Sequence, residues 1–196
     1  TGGGGTPGTT YHDPNNRDFD RGNCEGDRRQ IFNTTAVAEM PQFANSKLRA
    51  LASGWRLSGI YRRSTGAYLT VTSGQDRELS GVQNQRAQQI LGSAYGSKSL
   101  TNYLNPAAFT LPDVGSLGNM SPRNIAGPSN WQFDLALSRI FNVHETQRLE
   151  VRAEAYNVTN SLRRGDPVTV LTNSIFGQIN TSYDPRIMQF ALKYIF

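Results

Sequence analysis

The chain has 196 residues, is 37% hydrophobic, carries a formal charge of +5 and holds 19 glycines. No run approaches the ~18 apolar residues that a membrane helix needs, which excludes helical spans. It does not exclude a transmembrane barrel, where only alternate residues face lipid. The basic residues are scattered rather than gathered on one face among stacking aromatics, so nucleic acid is not an expected partner.

Residues 1–28 are polar and Gly-rich and read as a loop. The loop's carboxylates, Asp18, Asp20, Glu25 and Asp27, lack the order of an EF-hand and read as a solvated acidic cluster rather than a calcium site. Cys24 is the single cysteine, so no disulfide framework closes within the chain; it is a free thiol or bridges to a partner or missing segment. No signal peptide is seen, as expected of a mature protein, a processed one or a fragment.

Arg28 to Met40 reads as the first strand, with Phe32, Thr34, Ala36 and Ala38 on one face and Pro41 beyond its end. Residues 42–52 are a connection. Trp55 to Ser73 reads as one long strand, with Ser64-Thr65-Gly66 as an alternative tight turn that would split it. Residues 74–130 have no sustained periodicity and form a long loop. Trp131 to Phe141 alternates cleanly, placing Trp131, Phe133, Leu135 and Leu137 on one side. After a short turn at 142–146, Arg148 to Val158 alternates again. Residues 159–184 are another long loop, and Ile187 to Phe196 is the last strand.

Three features place these strands in a membrane. The last strand sets Met188, Phe190, Leu192, Tyr194 and Phe196 on one face, an aromatic stripe that suits lipid better than a fraying terminus in water. Aromatics stand at strand ends (Trp55, Trp131, Phe141, Tyr194 and Phe196), as in the girdles of a barrel. Arg148, Glu150, Arg152 and Glu154 recur at period two and share one environment, which a water-filled lumen tolerates and a dry core does not. These four are the lumen-facing candidates. If Phe196 ends at the periplasm, loops 74–130 and 159–184 fall outside the cell and turn 142–146 inside, as in outer-membrane barrels; segment 1–28 is also outside if Trp55 to Ser73 is one strand, and in the periplasm if that strand splits at Gly66. The expected fold is all-β: an antiparallel transmembrane β-barrel segment of about five or six strands from a larger barrel, with long extracellular loops.

The stretches RGNCEGDRRQIFN (21–33), GWRLSGI (54–60), NPAAF (105–109), RAEAYNVTN (152–160), FGQI (176–179) and DPRIMQFALK (184–193) carry a resemblance. Together they resemble the carboxyl-terminal part of TonB-dependent outer-membrane receptors, specifically the Oar-like group common in Acidobacteria, whose members often carry a carboxypeptidase-regulatory-like domain. The resemblance implies the outer membrane of a Gram-negative bacterium, contact with its lipid, and recognition by the barrel-assembly machinery. The assembly signal it implies is Phe190, Leu192, Tyr194 and Phe196. A full receptor has roughly 22 strands and a plug. The remaining strands and plug are therefore expected upstream or in another chain, with TonB contacted through that missing part.

The expected function is the closing segment of such a receptor, taking up an unidentified substrate. The alternative is a structural or interaction module that assembles through open β-edges into oligomers or fibres. No enzyme, cofactor or metal site is expected. His12 and His144 lie in loops without metal spacing or a neighbouring nucleophile, and the Gly2 to Gly5 run lacks the Lys-Ser/Thr of a phosphate loop.

Overall fold

The computed structural model describes residues 16–81, 85–143 and 146–196; His12, His144 and the Gly2–Gly5 run lie outside them. In chain order the elements are β1 (Ile31–Glu39), α1 (Ser46–Ala52), β2 (Trp55–Ser64), β3 (Tyr68–Leu69), β4 (Gln88–Gln89), β5 (Phe109–Thr110), β6 (Ile125–Ala126), β7 (Asn130–Asn142), β8 (Arg148–Tyr156) and β9 (Ile187–Ile195). They fall into two units. One comprises 29–64, 129–163 and 182–196; the other comprises 65–128 and 164–181 together with the described part of 1–28.

The first unit is a five-stranded sheet in the order β1-β2-β7-β8-β9, antiparallel throughout. Its register brings the periodic residues of every strand into common rows. Ala38, Leu57, Leu137, Ala153 and Phe190 form one such row across all five strands. Because side chains alternate in a strand, this single register fixes two faces. One face carries Phe32, Tyr61, Trp131, Leu135, Leu149 and Leu192. The other carries Asn33, Arg62, Asp134, Glu150, Arg152 and Lys193. All joins at one end of the sheet are short: residues 40–54 between β1 and β2, and 143–147 between β7 and β8, where the Val143 amide donates to the Gln147 carbonyl at 2.9 Å. Residues 1–28, 65–128 and 164–181 are all joined to strands at the opposite end.

One expectation needs correction here. Trp55 to Ser73 is not one strand; the chain breaks at Ser64-Thr65-Gly66, the alternative that the sequence offered. β2 stops at Ser64, and Tyr68–Leu69 pairs with Ile125–Ala126 in the second unit. The chain turns away where Gly66 passes Gly127 so closely that a Cβ on Gly66 would lie 2.0 Å from the Gly127 carbonyl oxygen. Only glycine permits that approach. Residues 42–52 are the connection expected, and α1 occupies most of it.

The second unit gathers segments that the sequence presents as separate long loops. Val71, Leu104, Met120, Phe109, Phe176 and Ile179 are buried together, and Phe109 meets Phe176 edge-on at 5.5 Å. Among the described residues its ladders are two residues long, β3–β6 and β4–β5, beside isolated bridges such as Thr72–Val170. The rest of its backbone is satisfied by turns and long-range bonds: the Ala87 amide donates to the Val71 carbonyl at 3.0 Å, and the Tyr103 amide to Gly177 at 2.9 Å.

Candidate functional site

The candidate site is the pair of faces of the five-stranded sheet. On the apolar face, the candidate assembly residues stand in a row on the edge strand β9. Phe190 is 74% exposed, Leu192 70% and Phe196 92%, and Tyr194 is exposed beside Phe196. Aromatic rings collect in two bands on this face. Phe32, Tyr61 and Trp131 form one, with neighbouring centroids 6.1 Å apart. Trp55, Phe141, Tyr194 and Phe196 lie at the other end, around Arg139, whose guanidinium sits 4.6 Å from the Phe141 ring and 5.3 Å from Trp55. Trp131 and Phe141 belong to one strand, ten residues apart. At ~3.4 Å per residue that is ~34 Å of strand, or ~26 Å of height at the ~40° tilt of barrel strands. This matches the apolar band of an outer membrane.

On the polar face, Arg148, Glu150, Arg152 and Glu154 stand at every second position of β8. Arg152 pairs with Glu154, which accepts from the Tyr156 hydroxyl at 3.1 Å. Register places Lys193 directly opposite Glu150. Across β1 and β2, Arg56 and Glu39 are opposed and 3.4 Å apart. Opposite charges thus meet along and across the strands, which keeps the row compatible with a partly hydrated surface.

Sequence reasoning did not single out the most ordered part of this face. Asp134 is buried and accepts from Arg62 at 2.5 Å, from the Gln132 side-chain amide at 2.6 Å and from the Asn157 backbone amide at 2.9 Å. Arg163 donates in turn to Gln132 at 2.5 Å. Asn157 is 1% exposed and has φ of +51°, a left-handed conformation asparagine tolerates. Its side chain ties down Ser161 by bonds of 3.0 and 3.1 Å, so the chain leaves β8 in a fixed turn. A polar triplet among alternating aromatics (Gln132, Asp134 and the distant Arg62) was the available signal. A cleft of about 180 Å³ lies beside it, bordered by Ser58, Arg62, Asp134, Arg152, Glu154 and Tyr156. That is smaller than the ~300 Å³ at which small-molecule pockets begin.

The sequence matches the outer membrane beta barrel domain over residues 1–189. The chain belongs to this family. Neither a curated protein nor a solved structure matches it. Membership makes this an outer-membrane protein and supports a location in the outer membrane of a Gram-negative bacterium. In outer-membrane barrels generally, an apolar face between two aromatic bands is the lipid face. No helix among the described residues is long and apolar enough to cross a membrane. Phe190, Leu192, Tyr194 and Phe196 lie beyond the matched range.

In the second unit the acidic loop residues pair with arginines. Asp20 meets Arg86 at 3.0 Å, Asp18 meets Arg21 at 3.3 Å, and Glu25 meets Arg123 at 3.7 Å. Arg86 is buried, donates to the Phe19 carbonyl at 2.8 Å and stacks 4.0 Å from the Phe19 ring. Burial pulls its pKa below the ordinary value, and Asp20 opposes that shift. Cys24 is exposed.

Proposed function

We propose that this outer membrane beta barrel domain is the closing segment of a TonB-dependent receptor that takes up a substrate. The observation that carries the reading is a two-faced sheet of membrane-spanning length whose outer strands, β1 and β9, each pair on one side only among the described residues. Open edges cannot stand in lipid, because no water is there to satisfy the backbone. Further strands must complete the barrel, from an upstream segment or another chain. The lumen face then belongs to Arg62, Asp134, Arg148, Glu150, Arg152 and Glu154. Short joins at the Trp55–Phe141 end and long ones at the Trp131 end orient the sheet with Phe196 at the periplasm, since outer-membrane barrels keep long connections outside. The barrel-assembly machinery would read β9 from that end, and TonB would act through a plug in the missing part.

Recovery of the reading frame upstream of Thr1 tests this directly. An in-frame plug domain and TonB-contacting segment are expected; a start codon and signal peptide immediately before Thr1 would overturn it. The same open edges favour a second reading, edge-to-edge assembly into oligomers or fibres. Electron microscopy of the purified protein separates the two: ordered assemblies support the second, monodisperse detergent-bound particles the first.

A further inference from the structure

The short join between β1 and β2 holds α1, an element that period-two patterning passes over. The helix starts at Asn45, whose side-chain oxygen accepts from the Lys47 amide at 3.0 Å and the Leu48 amide at 3.3 Å. Its other end is fastened to the sheet. Trp55 donates its indole N–H to the Leu51 carbonyl at 3.0 Å. Arg139 donates to the same carbonyl at 3.2 Å and also to Ala50. Trp55 and Arg139 are direct cross-strand partners on the lipid face, within the second aromatic band. A seven-residue helix is too short to persist alone, so these bonds decide where it sits. It is fixed to the lipid side of the sheet rather than the lumen side.

The chemistry of the helix fits that position. Leu48 and Leu51 lie three residues apart on one stripe, and Leu51 is 75% exposed. Lys47 stands at one margin of the stripe, ~40° from Leu51, while Arg49 points away and donates to the Phe43 and Ala44 carbonyls, both at 2.9 Å. Residues 40–54 contain no carboxylate at all, so the join carries only positive charge. Two protruding leucines with a cation at their margin, continuous with an apolar face, make the pattern of a helix lying in a membrane interface.

We propose that α1 is an interfacial anchor, seated in the phospholipid of the periplasmic leaflet, with Leu48 and Leu51 among the acyl chains and Lys47 at the phosphates. The leaflet rests on the orientation given above; the seating itself does not depend on TonB or on any transported substrate. Hydrocarbon covers the leucines that the protein leaves bare, and anionic phosphates meet Lys47. Arg139 is the positioning residue, because it joins the helix end to the aromatic band.

The test is photocrosslinking in outer membranes of cells that make the full protein with radiolabelled phosphate. A benzophenone amino acid is placed at Leu51, with Leu137 on the lipid face and Ala136 on the lumen face as controls. The expected result is a phospholipid adduct from positions 51 and 137 and none from 136. Arg139→Ala should remove the adduct at 51 and leave that at 137. An adduct at 137 without one at 51 overturns the anchor. An adduct of lipopolysaccharide at 51 overturns the periplasmic seating. Failure at 137 as well overturns the lipid face and the anchor with it. None of these outcomes touches the transport reading, which stands or falls on the upstream frame.

Discussion

The two units of this chain solve opposite problems with the same amino acids. Every buried hydrophobic residue among the described residues lies in 65–128 or 164–181, while the buried residues of the five-stranded sheet are polar: Ser53, Asp134 and Asn157. One face of the sheet carries its leucines and most of its aromatics, the other its carboxylates. The difference is one of solvent. In water, burial of apolar surface contributes ~25 cal/mol per Å², so the unit of turns and two-residue ladders folds around Leu104 and Val71. In lipid an outward leucine is already satisfied, and what needs the protein is the polar group. Asp134, with its three donors, is to the sheet what Leu104 is to the other unit.

The comparison breaks most completely at the sheet's edge. Changing Tyr194 and Phe196 together to Asp places two charges on the lipid face of β9 beside the second aromatic band. We expect the mutant to be lost from the outer membrane, read by fractionation and immunoblotting of the full protein. Unchanged levels would remove these residues from the assembly signal and from the lipid face together.

Truncating a leucine should matter in one unit and not in the other. Leu104 is fully buried, so Leu104→Ala leaves a cavity and should cost about 2–5 kcal/mol. Leu137→Ala leaves a gap that acyl chains fill, and should cost under about 1 kcal/mol. Amide hydrogen exchange on the membrane-inserted protein reads both. Leu104→Ala should strip protection from 65–128 and 164–181 while β7 and β8 keep theirs. A large loss at β7 from Leu137→Ala would mean that Leu137 packs on protein.

How much of this was legible follows from the same contrast. β7, β8 and β9 stand within two residues of their expected limits because a sheet wet on one face and greasy on the other writes its period into every strand. The grouping of Arg148, Glu150, Arg152 and Glu154 on one face came with it. The other unit has no period to read. Its core joins Val71, Leu104 and Phe176 across more than a hundred residues, through turns and a glycine contact at Gly66 that leave only isolated apolar residues in the sequence. α1 is two turns long, too brief for a helical pattern to stand out between two strands. Asp134 was visible as an alternating polar residue, but its burial depends on Arg62 and Asn157, 72 and 23 residues away.

A charge distinguishes the faces of a single strand. Leu137→Arg puts a cation among acyl chains and should cost about 2–4 kcal/mol near the midplane. Ala136→Arg, one residue earlier, points to the lumen face, where register sets Glu154 opposite. That change should be close to neutral. Urea unfolding of the protein refolded in phospholipid vesicles gives both values. Equal costs at 136 and 137 would erase the distinction between the faces.

The smallest expected effect is a pH dependence confined to the water-facing unit. Tyr103 is buried, and its hydroxyl donates to the Ala126 carbonyl at 3.0 Å. Burial, reinforced by Tyr95, pushes its pKa from 10.0 up to about 12. The phenol is neutral when protonated, so a raised folded value means that the folded unit holds the proton more tightly than the unfolded chain. The stability this contributes is complete below pH 10 and is lost as pH rises towards about 12. Tyr103→Phe removes the titration. It also removes one hydrogen bond, worth about 1 kcal/mol, although the Tyr95 hydroxyl still reaches Ala126 at 3.3 Å. Calorimetry of the two proteins should therefore show the variant slightly less stable at pH 8 and the gap closing between pH 10 and 12. Parallel curves across that range would mean that Tyr103 ionises as easily folded as unfolded, and that the unit's interior is wetter than its buried core implies.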